Sequence, residues 1–488
     1  MILHAPPRND MSAAVQPDHA RNGIAPLQFA VSFLPDHNNI HASNRANASL
    51  YIWLIGLMVI LVPVPFGSHR PMPWAIWAIV ASVMMIGFVI RQKDYTYRIQ
   101  TQSGILALAA LSPLFSAGQL LPLGHLFDGA FPPDAAPKTL TLSPSATLLA
   151  ILRLATYAML FILTFEVCSR PRHARKLAQI IFYGVTLHAV VAMILLSVMG
   201  DRSVWGEKTA YLGWATGPFV NRNSFASFMG LGIVIGIGLV FTPQKHRRAD
   251  PRILPRQTRP RADARTVANA VCLALLCTAL IASGSRMGTA ATIIGACVTC
   301  AAMATGNTHK VRITWRQLIG AAGILTMFAL FLMSRDIGAR LLFFMPDLNI
   351  RLDLYANIWD LISTRPWVGY GLDTFQVAFP LVHDQRASPA VIWDLAHNSY
   401  LTLWAEVGLI AGTAPMIALA WSAVRLMRGV RRAARSEFAP ALALGTLAMA
   451  ATHSLVDFSF EVQANTLLLV VIVAMGLSLS NRYQMELK

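Results

Sequence analysis

From residue 49 to residue 480 the chain is cut into twelve apolar runs, and few sequence features leave a fold so little choice. The runs lie near 49–66, 73–90, 103–123, 146–167, 177–200, 223–241, 266–283, 287–305, 317–333, 398–424, 439–456 and 463–480. Each is near the roughly 20 residues that a helix needs to cross a hydrocarbon core of about 30 Å. Lipid offers no water to satisfy free backbone N–H and C=O groups. Segments of this length, rich in Ala, Leu, Ile, Val and Met, are therefore helices rather than strands. With 55% hydrophobic and only 13% charged residues, the composition is not that of a water-soluble domain. The reading is an all-α polytopic membrane protein of about 12 transmembrane helices.

The basic residues orient it. Starting from an inside N-terminus, the stretches RQKDYTYR (91–98), CSRPRHARK (168–176), the loop 242–265, GNTHKVRITWR (306–316) and RLMRGVRRAARSE (425–437) all fall on one side. The opposite segments are poor in excess positive charge: 124–145 has one lysine, and 334–396 has five arginines against seven aspartates. This asymmetry puts both termini in the cytoplasm. It also explains most of the net charge of +17 as topology rather than nucleic-acid binding. Residues 1–48 read as a disordered cytoplasmic tail, 49–480 as the transmembrane domain with a large external loop at about 334–397, and 481–488 as a short cytoplasmic tail. Of five cysteines, Cys272, Cys277, Cys297 and Cys300 fall within spans and Cys168 at an inside end, so none is placed for an external disulfide. No metal site or cofactor is indicated.

Polar residues that a membrane span would not need collect on the outer side. In the large loop, RLDLYANIWDLISTRPWVGYGLDTF (351–375) places apolar residues at 352, 354, 358, 361 and 362, a helical spacing. That predicts an amphipathic helix lying on the membrane surface, with Arg351 near its start. The chain then re-enters the membrane through His397 and Asn398, where His397, Tyr400, Leu401 and Trp404 would share a helical face. Arg286 lies in the tight turn ASGSRMG, and Asn221, Arg222 and Asn223 lie in GPFVNRNSFASF. Arg153 sits within the fourth span, where an ionisable group is costly unless paired or wetted. Plain structural roles compete at every position. Arg222 and Arg286 could snorkel to headgroups, His397 could cap a helix, Arg153 could serve only an ion pair, and His453 and Asp457, four apart, could satisfy each other. Taken together, several arginines and a histidine facing an outer, lipid-bordered space suit an anionic, membrane-anchored substrate.

The motifs SPSATLLAILRLATYAMLF (143–161), GPFVNRNSFA (217–226), SGSRMG (283–288), RPWVGYGLDTF (365–375) and AHNSYLTLWAEVGL (396–409), in this order, resemble the bacterial O-antigen ligase and polymerase superfamily. HSLVDFSFEVQAN (453–465) also resembles members tied to exopolysaccharide synthesis. The resemblance implies an inverting, metal-independent glycosyltransferase of the bacterial inner membrane. Its donor is an undecaprenyl-diphosphate-linked glycan, and its acceptor is either lipid A core or another lipid-linked glycan. Arg286 matches the family's short-turn arginine, His397 the histidine ending the large loop, and Asn221 and Asn223 its Asn-x-Asn pair, while Arg351 corresponds more loosely. Independently of the family, transfer from a diphosphate needs fixed positive charge for the leaving group and a base for the incoming hydroxyl. The expected base is His397, with Asn398 placing the imidazole or the acceptor. Arg286, Arg351 and Arg222 are expected to hold the diphosphate, and Asn221, Asn223 and Arg153 to bind substrate or serve structure. A lipid-linked oligosaccharide transporter without chemistry is the alternative, although its site belongs nearer the membrane midplane in two repeated halves, and no repeat is visible.

Overall fold

A computed structural model of the chain describes residues 37–91, 98–124, 138–242, 264–305, 344–384, 386–387, 393–432 and 438–485. Contacts divide the chain into Met1–Arg45, of which only the first turns of a helix are described, and Ala46–Lys488, which holds every other element. In chain order the helices are α1 (His37–Leu61), α2 (Pro71–Arg91), α3 (Ser103–Gly118), α4 (Pro144–Val167), α5 (Pro171–Ser197), α6 (Arg222–Phe241), α7 (Ala264–Ala282) and α8 (Arg286–Thr305). They continue as α9 (Phe344–Thr364), α10 (Phe375–Ala378), α11 (Ser399–Val407), α12 (Leu409–Arg432), α13 (Ala439–His453) and α14 (Gln463–Met485). Among the described residues the only strands are β1 (Arg202–Ser203) and β2 (Gly206–Glu207), paired antiparallel. This is an all-α polytopic membrane protein.

Eight described helices, α2, α4, α5, α6, α7, α8, α12 and α14, are long and apolar enough to cross a membrane. The runs expected as spans one, three and eleven form shorter apolar helices: Asn47–Leu61 within α1, α3 of 16 residues and α13 of 15. The expected ninth span at 317–333 lies outside the described residues, as do nearly all of the loop 242–265 and the basic stretches 306–316 and 433–437.

Helices α6 and α14 form the centre. Both are apolar on all sides, and such a helix belongs in the interior rather than against one partner. Phe225, Phe228, Leu231 and Ile235 of α6 and Leu467, Leu468, Val471 and Ile472 of α14 are fully or almost fully buried in one core with Phe165, Phe182 and Leu442. Beside them α8 and α13 touch backbone to backbone. A Cβ on Gly445 would lie 2.4 Å from the Gly295 carbonyl oxygen, a contact that only small residues allow.

Two expectations about the outer loop change. Residues 351–364 are indeed an amphipathic helix, α9, but its apolar face does not point to lipid: Leu354, Ile358, Leu361 and Ile362 are buried in a second, smaller core with Tyr370, Phe375, Phe379, Ala396 and Ala405. Helical spacing shows that a face is apolar and says nothing of what covers it. The expected tenth span, 398–424, is two helices. It breaks at Gly408, whose φ of 81° belongs to the left-handed region, and the membrane-length helix starts only at Leu409.

Candidate active site

The stretch 365–375 is fastened to the α11–α12 break. Tyr370 and Gly371 donate backbone hydrogen bonds to the carbonyls of Ala405 and Glu406 (3.0 and 2.9 Å), and Leu409 donates to Pro366 (2.7 Å). The Glu406 carboxylate accepts from the Asp373 and Phe375 backbone N–H groups at 2.8 and 3.1 Å. Gly369 (φ 67°) and Gly408 meet so closely that a Cβ on Gly369 would lie 2.4 Å from the Glu406 oxygen, and one on Gly408 2.4 Å from the Trp367 oxygen. The 143–161 motif joins from the other side through Thr147, whose hydroxyl donates to the Leu372 carbonyl at 3.0 Å.

This docking supplies the partner that Arg153 requires. Its guanidinium lies 3.5 Å from Asp373 Oδ1 and 4.2 Å from the centre of the Trp74 ring. Asp373, held at a φ of 63°, is pushed upward in pKa by burial, with Arg153 opposing. Arg153 therefore ties α4 to the 365–375 loop, a structural pairing visible in the fold.

His397 precedes α11 instead of sharing its face. Its φ of 51° turns the ring away from the helix into a T-shaped contact with Phe458 (5.0 Å) and another with Trp393 (6.3 Å). Asn398 is the N-cap of α11: its Oδ1 accepts from the Tyr400 and Leu401 N–H groups at 3.0 and 3.2 Å, and its Nδ2 donates to the Leu455 carbonyl at 3.0 Å. Tyr355 of α9 donates to the His397 carbonyl (3.0 Å) and the Leu455 carbonyl (3.2 Å), bracing the same turn. The His397 Nδ1 is buried without a hydrogen-bond partner. Burial lowers the imidazole pKa; the charge of Asp457 raises it and that of Arg351 lowers it further. Burial thus favours the neutral form of His397, with the charges of Asp457 and Arg351 acting on it in opposite senses.

His453 and Asp457 do not satisfy each other, because α13 ends at His453 and the chain turns away. His453 Nδ1 pairs with the Ser227 hydroxyl at 2.7 Å, while Asp457 accepts from Asn223 Nδ2 (2.8 Å) and the Ser459 N–H (2.9 Å). Asn223 is thereby brought to the His397 side. Asn221 serves as N-cap of α6, accepting from Asn223 N–H at 2.6 Å and donating to the Tyr211 hydroxyl at 3.1 Å. Arg222 stacks over Tyr211 and Trp214 (5.8 and 5.2 Å). The Trp214 ring packs on Gly284 (φ 63°), two residues before Arg286 at the start of α8. A Cβ at Gly284 would lie 2.2 Å from that ring. Asp457 thus brings Asn223 toward His397, and Trp214 bridges Arg222 to the turn two residues before Arg286, while Arg153 belongs to the neighbouring loop clamp.

Residues 271–416 match the O-antigen ligase family. Over that stretch, under a third of its length, the chain is similar to O-antigen ligases. The matched stretch runs from α7 into α12 and contains Arg286, Arg351, His397 and Asn398; Arg153 and the 221–223 triplet lie before it. No curated protein matches the chain. Around these residues the structure adds groups to which the sequence reading assigned no role in the site: Tyr355, the Asp373–Glu406 clamp, and His69, whose ring centre lies 6.3 Å from that of Phe458. Arg153 carried a signal for one of them, since a cation inside a span demands an acid somewhere. No such signal marked Tyr355. Among the described residues, no three His, Cys, Asp or Glu side chains converge as a metal site requires.

Proposed function

We propose that this O-antigen ligase-type membrane glycan enzyme transfers glycan from an undecaprenyl-diphosphate-linked donor to a sugar hydroxyl at the periplasmic face of the inner membrane. The observation that carries the reading is His397, a histidine whose ring burial keeps toward the neutral form and on which the charge of Arg351 acts. The acceptor oxygen attacks the anomeric carbon of the donor as its proton passes to His397 Nε2. The bond from that carbon to the diphosphate oxygen breaks with its electron pair on the diphosphate, inverting the centre. Arg351, with Arg222 and Arg286, stabilises the charge that develops there, as fixed cations do best in a water-poor site. The leaving group is already a good one, so neither a general acid nor a metal is required. Asn398 and Asn221 act as caps that fix the turns carrying His397 and Arg222, and Asn223 holds Asp457.

The experiment is reconstitution of the purified protein in lipid with an undecaprenyl-diphosphate-linked glycan, with and without lipid A core. Transfer only in the presence of core marks a ligase, and growth of the donor alone marks a polymerase. A donor that stays intact under both conditions contradicts the reading.

A further inference from the structure

Helix α9 has two apolar sides. One is the core face described above. On the other, Leu352 and Trp359 fall two turns apart on one side of the helix and are 53% and 50% exposed. The loop that follows adds Trp367, 62% exposed. These side chains are not scattered over the surface, because they gather where α12 begins. The Trp359 ring meets that of Trp404 edge to face with centres 6.4 Å apart, and the Trp404 indole N–H donates to the Thr413 hydroxyl near the start of α12 at 3.0 Å. Trp367 follows Pro366, whose carbonyl accepts from the N–H of Leu409, the first residue of that helix. Ile410, next in the chain, is 68% exposed, as a lipid-facing residue of a span is.

The length of α12 says what covers them. At 1.5 Å per residue its stretch before the first arginine, 409–424, rises about 24 Å, which falls about 6 Å short of a hydrocarbon core of roughly 30 Å. Arg425, Arg428, Arg431 and Arg432 close the far end of the helix, so the missing depth lies above Leu409. That is the level of the three tryptophans. An indole is apolar with one polar N–H, and such rings settle at the boundary between lipid and water. We infer that Leu352, Trp359 and Trp367 form a bilayer-contact surface, with the lipid of the adjoining leaflet as its occupant. Arg351, next to Leu352, is thereby held at the phosphate layer, where a lipid-anchored anion carries its charge. The inference stands on this packing and needs no glycosyl transfer.

The test is nitroxide labelling of Leu352→Cys, Trp359→Cys and Trp367→Cys, one at a time, in the full-length cysteine-free protein in vesicles of phosphatidylethanolamine and phosphatidylglycerol. Spin relaxation is read against oxygen, which partitions into lipid, and against a water-soluble nickel chelate. Ile410→Cys is the lipid reference and Gln376→Cys, on an exposed residue of α10, the water reference. Oxygen should exceed nickel at all three positions, as at Ile410, with the order reversed at Gln376. Nickel exceeding oxygen at Trp359 or Trp367 would place that surface in water and overturn the inference. Low access to both reagents there would show it covered by protein, whether another part of this chain or a second copy, and would overturn it equally. Because a cysteine at Trp359 also removes the contact with Trp404, a second measurement keeps the rings. In the cysteine-free protein without a label, tryptophan emission should be quenched by lipids brominated near the headgroup, and the double variant Trp359→Phe, Trp367→Phe should lose part of that quenching. An unchanged quenched fraction in the double variant contradicts lipid contact.

Discussion

At the scale of single residues, the proposed mechanism places its chemistry on His397 and the charges of Asp457 and Arg351 that act on it. The base must be neutral, and burial holds its pKa below the ordinary 6.5. Transfer should therefore be constant near neutrality and fall on acidification, with an acid limb in kcat/KM below that value. Asp457→Asn removes the charge that favours the protonated ring and should move the limb to lower pH; Arg351→Gln removes the opposing charge and should move it up while also slowing transfer. A pH–rate profile of the three proteins checks the directions, and a limb that stays fixed in both variants contradicts the electrostatic account. Arg153 makes a separate prediction. Asp373→Asn leaves a guanidinium inside a span without its acid and should destabilise by about 2–3 kcal/mol, whereas Arg153→Met combined with Asp373→Asn should recover part of the loss. Thermal unfolding in detergent measures both. The need for such a partner was legible from Arg153 alone; its identity was not, because Asp373 lies 220 residues away in a loop whose docking no local pattern encodes.

At the scale of elements, the site depends on the break between α11 and α12 and on the glycine-rich loop fastened to it. The sequence showed the apolar run from 398 onward but not the interruption, since the residues on both sides of Gly408 are good membrane-helix formers. What breaks the helix is tertiary: the Trp367 and Glu406 carbonyls occupy the space that a Cβ would need. Gly408→Ala combines that clash with a left-handed φ and should cost more than the roughly 1 kcal/mol of backbone strain alone. It should loosen residues 365–375, exposing the bonds after the buried Tyr370 and Phe375 to chymotrypsin and reducing activity sharply. Limited proteolysis compared with wild type tests this, and an unchanged digestion rate would show the glycine contact to be dispensable. The covering of α9 was hidden for a related reason. Its spacing is the same whether the apolar face meets lipid or, as here, Phe375 and Phe379.

For the whole molecule, hydropathy made the membrane class and the order of helices legible, because bilayer thickness and the absence of water constrain every span in the same way. Convergence of distant motifs was legible only as a family resemblance. The physical links, Asp457 to Asn223 and Trp214 to Gly284, join residues from separate helices and leave no periodic trace. The topology predicts sidedness: in a cysteine-free background, cysteines at Leu212 and Gln376 should react with an impermeant maleimide from the periplasm, and one at Arg425 should not. Labelling of all three from one side would invert or break the arrangement. The central claim, that His397 serves a bond-forming reaction, is tested most directly by mass analysis of the products from a lipid-linked glycan donor, comparing wild type with a stably folded His397→Ala protein in the same lipid. The account predicts a new glycosidic bond and released undecaprenyl diphosphate for wild type, and a rate lower by about 100-fold or more for the variant. Equal rates, or movement of the donor across the membrane with no new bond in either protein, would contradict it.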